Sequence, residues 1–219
     1  MSQQEVNVIL MPLIHRLTGE NQGRAFRMQQ PEYWVCRADS IFSSGEHKDR
    51  GLFSIFLLNL VHLAPGEAMY LPAGELHAYL EGTGIEIMAN SNNVLRGGLT
   101  PKHVDVDELL QVLTFTSGDA EVLQPSLKRG AAGQTFYHTP AEEFVLSRLR
   151  VTADHCHRRE ADHGVHLGIV TEGRALISAA GGGRLNLVRG QAFLIPQGMI
   201  YEISSGTEAE IFKASVPHV

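Results

Sequence analysis

The chain is short of the features that mark several common protein classes. It has two cysteines, Cys36 and Cys156, far apart in 219 residues. A disulfide framework needs several cysteines at short spacings and a thiolate zinc site needs two or more close together, so neither is indicated. Two lone thiols fit a reducing compartment, and a cytoplasmic protein is expected. Long apolar runs are also missing. The most apolar stretch, Leu52 to Leu63, is broken by Ser54, Asn59 and His62 and is too short to span a bilayer. The N-terminus lacks the basic flank and small-residue cleavage site of a secretory signal. Positive charge is in deficit: 18 Lys and Arg face 24 Asp and Glu, a formal charge of −6, with the cations scattered. Nucleic acid and anionic membranes are therefore not expected as partners, while a local basic pocket still leaves room for a small anion.

Apolar residues make up 43% of the chain, enough to build the core of one large domain or two modest ones. Residues 1–50 carry apolar residues at mixed spacings compatible with short helices over Val6 to Leu17 and Glu32 to Phe42, with the polar stretch "TGENQGRAFRMQQP" between them expected as a loop. From Gly51 the texture changes to short β-branched and aromatic runs separated by Gly and Pro, as in a sandwich or barrel. The expected strands are 53–63, 67–71, 77–81, 84–89, 143–151, 165–171, 174–178, 184–188, 191–195, 199–203 and 208–215. One helix interrupts them at "DVDELLQVL", with Asp105 or Asp107 as its cap and Leu109, Leu110 and Leu113 on its buried face. Residues 115–141 lack periodicity and are expected to connect two β units.

An internal repeat organises the β region. "GEAMYLPAGELH" from Gly66 and "GQAFLIPQGMIY" from Gly190 align without a gap, placing Gly66 on Gly190, Ala68 on Ala192, Pro72 on Pro196 and Gly74 on Gly198. Each copy is a Gly turn, a short strand, a Pro-x-Gly turn and a second strand. The final position is His77 in one copy and Tyr201 in the other.

A histidine just after a Pro-x-Gly turn starts a strand and can point into a sandwich interior, where a neutral imidazole suits a divalent metal. A lone histidine is more often a hydrogen-bonded structural residue. The spacing Gly-x5-Pro-x-Gly-x2-His-x3, however, resembles the second motif of the cupin superfamily, in which the histidine binds metal. The resemblance narrows over Gly51 to Phe115. His77 to Gly82 ("HAYLEG"), Glu86 to Lys102 ("EIMANSNNVLRGGLTPK") and Asp105 to Leu109 resemble consecutive elements of the C-terminal part of type I mannose-6-phosphate isomerases. Where that family has Ala-Gly, this chain has Gly97-Gly98.

The resemblance implies a mainly β fold of two cupin-like jelly-roll units, the first incomplete, behind a short helical N-terminal segment. Its implied boundaries are 1–50 for the tail of a helical domain, 51–115 for the C-terminal part of a catalytic cupin and 116–219 for a second cupin without metal. It implies an enzyme that interconverts mannose 6-phosphate and fructose 6-phosphate through a cis-enediol, with zinc as cofactor. His77 corresponds to one of four zinc ligands, Arg96 to a catalytic arginine, and Glu86 and Lys102 to active-site positions tied to proton handling and to the charged substrate. These residue types suit the chemistry: zinc polarises oxygens, a carboxylate carries a proton and a guanidinium meets oxyanion charge. Outside that pattern Glu86 would be an outward strand residue, and Arg96 and Lys102 exposed loop cations.

The resemblance also implies three other zinc ligands, a Gln-x-His pair and a Glu, supplied by sequence upstream of the matched region, and residues 1–65 contain no Gln-x-His. One imidazole does not make a zinc site. The isolated chain is therefore expected to be inactive unless another polypeptide completes it, and to exist as a homodimer or with an N-terminal half that covers its open strand edges. The alternative is a non-catalytic bicupin module with a structural or sugar-phosphate-binding role. A second group, His155, Cys156, His157, His163 and His166, alternates with charged residues and is expected to be a solvated hairpin. A cupin activity of another kind using these histidines is the remaining alternative.

Overall fold

A Ser-x-x-Glu box opens the first helix. Glu5 Oε2 accepts from the Ser2 backbone N–H at 2.6 Å, and Ser2 Oγ accepts from the Glu5 N–H at 3.3 Å, pairing donors that a helix start leaves open. The computed structural model describes residues 1–23, 25–91, 94–127, 133–159 and 164–217. Helix α1 (Gln3–Gly23) turns Val6, Leu10, Ile14 and Leu17 to one side. Helix α2 (Pro31–Phe42) begins on a proline, whose missing N–H has no partner at that position anyway, and buries Trp34, Val35 and Ala38. Helix α3 (Leu52–Leu57) adds Leu52 and Ile55 to the same core. Leu10 and Leu52 lose all contact with water, each contributing about 1.5–3 kcal/mol.

Three sequence expectations fail here for identifiable reasons. The loop expected after residue 17 is helix as far as Gly23, because a polar stretch can stay helical on a solvated face, with Arg16 and Glu20 paired one turn apart at 3.7 Å. The strand expected at 53–63 is helix α3 followed by non-repetitive chain, since Leu52 and Ile55, three apart, both reach the helical core. The strands expected at 67–71, 77–81 and 84–89 form no ladder. A strand exists only as a pair, and within these segments only Ala68 finds a bridge partner among the described residues, Leu123. Helix α4 (Val106–Val112) forms as expected, with the Asp105 side chain accepting from the Glu108 N–H at 3.1 Å. Its expected buried face does not form: Leu110 is exposed, and Leu109 and Leu113 are half-buried. The expected connection at 115–141 holds two short strands, β1 (Ser126–Leu127) and β2 (Gln134–Phe136).

The chain divides into two compact units: Met1–His62 with Leu71–Gly82 and Asn92–Glu121, and Leu63–Tyr70 with Thr83–Ser91 and Val122–Val219. The second contains the sheets. Strands β3 (Val145–Val151), β4 (His157–Arg159), β5 (His166–Glu172), β6 (Arg174–Ala179), β7 (Arg184–Val188), β8 (Ala192–Ile195), β9 (Tyr201–Ser204) and β10 (Ala209–Ser215) fall close to the expected spans. They join β1 and β2 in a six-stranded sheet, ordered β1-β2-β3-β10-β5-β8, and a four-stranded sheet, ordered β4-β9-β6-β7, with every pair antiparallel. The fold is thus mainly β. Alternate residues enclose an apolar core of Leu149, Val151, Val170, Ile177, Phe193, Ile203 and Ile211, among others. Among the described residues no helix is long and apolar enough to cross a membrane.

The solvated-hairpin expectation for the second histidine group is also overturned. His157 and His166 are buried, while His155 and Cys156 are half-buried and His163 lies outside the described residues. The charged neighbours that suggested a surface occupy the opposite face: β4 pairs with β9 so that Arg158 meets Glu202 outside, which turns His157, opposite Ile203, inward.

The repeat is reproduced in backbone detail. Gly66 and Gly190 have φ of +93° and +86°, and Gly74 and Gly198 have +86° and +77°, all in the region that glycine alone enters freely. The Glu67 N–H donates to the Ala64 carbonyl at 2.9 Å, as Gln191 does to Val188 at 3.0 Å. The following side chain closes each turn the same way: Glu67 Oε2 accepts from the Ala64 N–H at 2.7 Å, and Gln191 Oε1 from the Val188 N–H at 2.9 Å.

Candidate functional site

Helix α4 holds the turn that precedes His77. The Thr114 backbone N–H donates to the Gly74 carbonyl at 2.9 Å and Thr114 Oγ1 does so at 3.2 Å. A Cβ at position 74 would lie 2.7 Å from the Val112 carbonyl oxygen, so glycine is required by contact as well as by φ. His77 itself is exposed. Its Nδ1 is 2.9 Å from the Glu75 carbonyl, and its ring meets that of Tyr79 edge-on at 6.2 Å. A carbonyl only accepts, so this bond places the proton on Nδ1 and leaves the lone pair on Nε2. That is the arrangement a metal-ligating histidine uses. Farther along the segment, Glu81 pairs with Arg37 of α2, whose guanidinium sits 5.5 Å over the Trp34 ring.

Arg96 is exposed and precedes a tightly docked loop. Gly97 presses its backbone against Leu76, where a side chain would run into the Leu76 methyl. At Gly98 φ is +141° and a Cβ would lie 3.0 Å from Gly51 Cα. Asp49 fastens the other side, its Oδ1 accepting from the Gly51 N–H at 2.7 Å and the Leu99 N–H at 3.4 Å. The Gly97–Leu76 contact therefore sets the Arg96 backbone beside that of His77, within the helix-containing unit. Lys102 is exposed a few residues on, and its backbone N–H donates to Thr100 Oγ1 at 3.2 Å. Glu86 is exposed on Thr83–Ser91, a segment of the sheet-containing unit. Sequence reasoning missed Asp49 and Leu76 as supports, although Gly51 and Gly97 marked where their backbones approach. Among the described residues no three His, Cys, Asp or Glu side chains gather closely enough to hold a metal ion. His77 suits zinc, but the described donors of this chain do not by themselves make a zinc site.

Residues 143–217 match the family description "AraC-like ligand binding domain". The chain is 37% identical over 171 residues to mannose-6-phosphate isomerase of Cryptococcus neoformans, covering 77% of this chain and 39% of that protein. It is 31% identical over 217 residues to mannose-6-phosphate isomerase 2 of Arabidopsis thaliana, covering 97% and 46%. The chain is homologous to the mannose-6-phosphate isomerases. It spans less than half the length of these relatives. The isomerase of Salmonella typhimurium, solved bound to its substrate and zinc, superposes with a TM-score of 0.74 at 27% identity, covering 94% of this chain and 49% of that one. Solved variants of the same isomerase have alanine in place of a glutamate and of an arginine ten positions beyond it.

Proposed function

We propose that this chain carries the C-terminal part of a mannose-6-phosphate isomerase active site, and that it interconverts mannose 6-phosphate and fructose 6-phosphate when a second polypeptide completes that site. The observation that carries the proposal is the setting of His77. The repeat equates His77 with Tyr201, a buried position between the two sheets, and the Glu75 carbonyl holds the ring with Nε2 available. In the sheet-containing unit the rings of His157 on β4 and His166 on β5 lie 6.2 and 6.1 Å from that of Tyr201, and both precede it in sequence. The chain before His77 has helices where such strands would be. The missing ligands and strands are therefore assigned to an N-terminal half of the enzyme lying outside these 219 residues.

Glu86 and Arg96 are separated by ten residues, the same step as between the glutamate and arginine altered in the Salmonella variants. This supports assigning them to the reacting end of the sugar. Arg96 meets the oxyanion charge of the cis-enediol, and the Glu86 carboxylate is suited to carry a proton as hydrogen moves between C2 and C1. Lys102 offers a point charge to the substrate phosphate. Residues 51–115 would then be the C-terminal part of the catalytic cupin, and 116–219 a supporting cupin. The exposed apolar side chains of Leu57, Tyr79 and Phe115 support a covered surface. The free thiols of Cys36 and Cys156 support a cytoplasmic location.

The experiment is a coupled assay with fructose 6-phosphate and added zinc, run beside a zinc-binding titration. The pure chain should show no turnover, and it should acquire zinc and turnover together when an N-terminal isomerase half is supplied. Robust turnover by the pure chain would overturn the need for a partner. Absence of zinc binding even with the partner would favour the non-catalytic bicupin module.

A further inference from the structure

Among the described residues Leu99 is the one residue other than glycine with a positive φ, +49°. A residue with a Cβ resists that region, and a fold keeps such strain only where the surroundings over-determine it. Two contacts do so here. The Leu99 side chain packs on the helical core, and its N–H donates to Asp49 Oδ1 at 3.4 Å. The same oxygen accepts from the Gly51 N–H at 2.7 Å. Gly51 makes room for both: a Cβ there would lie 2.8 Å from the Leu99 nitrogen and 2.9 Å from Asp49 Oδ1 and from Leu99 Cγ. One carboxylate oxygen thus ties the loop that follows Arg96 to the start of α3.

Asp49 is itself held by the helices before it. Its N–H donates to Ser43 Oγ at 3.2 Å, and Ser44 and His47 exchange backbone hydrogen bonds at 3.1 and 2.9 Å. Lys48 Nζ meets both carboxylate oxygens of Asp39 on α2 at 2.8 and 2.9 Å. The Lys48 N–H donates to Asn7 Oδ1 at 3.2 Å and its carbonyl accepts from Gln3 Nε2 at 2.8 Å, both on α1. The two residues between Arg96 and Leu99 are glycines, which place few limits on the backbone. The direction in which Arg96 leaves the loop therefore depends on the tertiary holds beyond it, Leu76 against Gly97 and Asp49 on Leu99.

We propose that Asp49 is a positioning residue for Arg96, holding Leu99 in its strained conformation so that the guanidinium is presented to the developing oxyanion in one direction. The inference rests on the catalytic assignment of Arg96 made above. A group that stabilises charge formed in the transition state must be aimed before the reaction, and a small misplacement is costly in rate. Asp49 acts through the loop and touches neither substrate nor zinc. The loop also carries Lys102, so KM is free to change and kcat is the decisive quantity.

The test uses the full chain complemented by an N-terminal isomerase half, with kcat expressed per bound zinc, beside hydrogen exchange of the chain alone. Asp49→Ala should lower kcat per zinc by about 10–100-fold, whereas a merely destabilised protein would lose zinc and turnover in the same proportion. Asp49→Asn, which keeps an accepting oxygen, should stay within about threefold of the parent. In an Arg96→Ala background, Asp49→Ala should lower kcat by less than about twofold further, because the two residues act through one group. Leu99→Ala releases the same hold from the helical side and should give the same loss of kcat per zinc, so it decides the matter if Asp49→Ala fails to fold. On the chain alone, Asp49→Ala should speed exchange of the Leu99 and Thr100 amides by about tenfold. That readout decides whether Asp49 holds the loop even if the parent pair has no turnover and the functional reading fails. Parental kcat per zinc in folded Asp49→Ala, an undiminished Asp49 effect without Arg96, or unchanged exchange would overturn the assignment.

Discussion

Acid should weaken the sheet-containing unit through one residue, His157. Burial is the main cause that holds its pKa down, from 6.5 to about 4, and the positive charges of Lys213 and Arg159 add to it. The unfolded chain takes up this proton near pH 6.5, whereas the folded chain resists it until about pH 4. The unfolded state therefore binds more protons throughout that window, and stability falls as the pH falls through it. A shift of 2.5 units, the difference between 6.5 and about 4, corresponds to about 3 kcal/mol once both states are protonated. About 2 kcal/mol of this is lost between pH 7.5 and 5, a sizeable share of a domain's total stability. Other groups also titrate, so the comparison is between the parent chain and His157→Gln, which has no proton to gain. Urea unfolding at the two pH values supplies the free energies. Hydrogen exchange of the β3, β9 and β10 amides locates the loss in the barrel, and fluorescence of Trp34, the single tryptophan, follows the helical core as an internal control. The parent should lose about 2 kcal/mol more than the variant between the two pH values. Equal losses, within about 0.5 kcal/mol, would show that His157 is protonated without penalty and would refute the reasoning.

Other expectations follow from close backbone approaches and from the catalytic assignments. Gly98→Ala combines an unfavourable φ of +141° with a Cβ only 3.0 Å from Gly51 Cα, and should lower stability by about 1–3 kcal/mol in chemical denaturation. Gly97→Ala meets only a movable Leu76 methyl, and should cost less than about 1 kcal/mol. Gly168→Ala drives a methyl into the Phe193 ring, and should destabilise the barrel by about 1–3 kcal/mol in the same assay. In a complemented enzyme, Arg96→Ala should lower kcat by about 10²–10³-fold. Lys102→Ala should act mainly on KM, as expected for loss of a phosphate contact.

The two-sheet unit was largely legible in the sequence because its strands alternate cleanly between Gly and Pro turns, from Val145 onward. The repeat was legible for the same reason, since Gly66, Gly74, Gly190 and Gly198 occupy backbone conformations that few other residues tolerate. The region around His77 was harder. Residues 53–63 are apolar without a decisive period, and tertiary packing of Leu52 and Ile55 chose helix. Residues 67–89 have strand-like composition, but composition cannot supply a hydrogen-bonding partner. His157 and His166 were misplaced because their charged neighbours outweighed the simpler signal, the two-residue alternation that sends Arg158 outward and His157 inward. At the candidate site, the resemblance to the isomerase family, and not residue type alone, named His77, Glu86, Arg96 and Lys102. It did not reveal how Gly97 and Leu76 bring the segments of Arg96 and His77 side by side, because that contact depends on folded backbone positions.

The most direct measurement is complementation in trans. The chain is mixed with a polypeptide carrying the N-terminal half of the Salmonella isomerase, and fructose 6-phosphate isomerisation is followed with zinc titrated in. The account predicts that neither polypeptide turns over alone, that the pair does so in proportion to bound zinc, and that His77→Ala abolishes both zinc uptake and turnover while the two polypeptides still associate. Undiminished zinc uptake and turnover by the His77→Ala pair would contradict it.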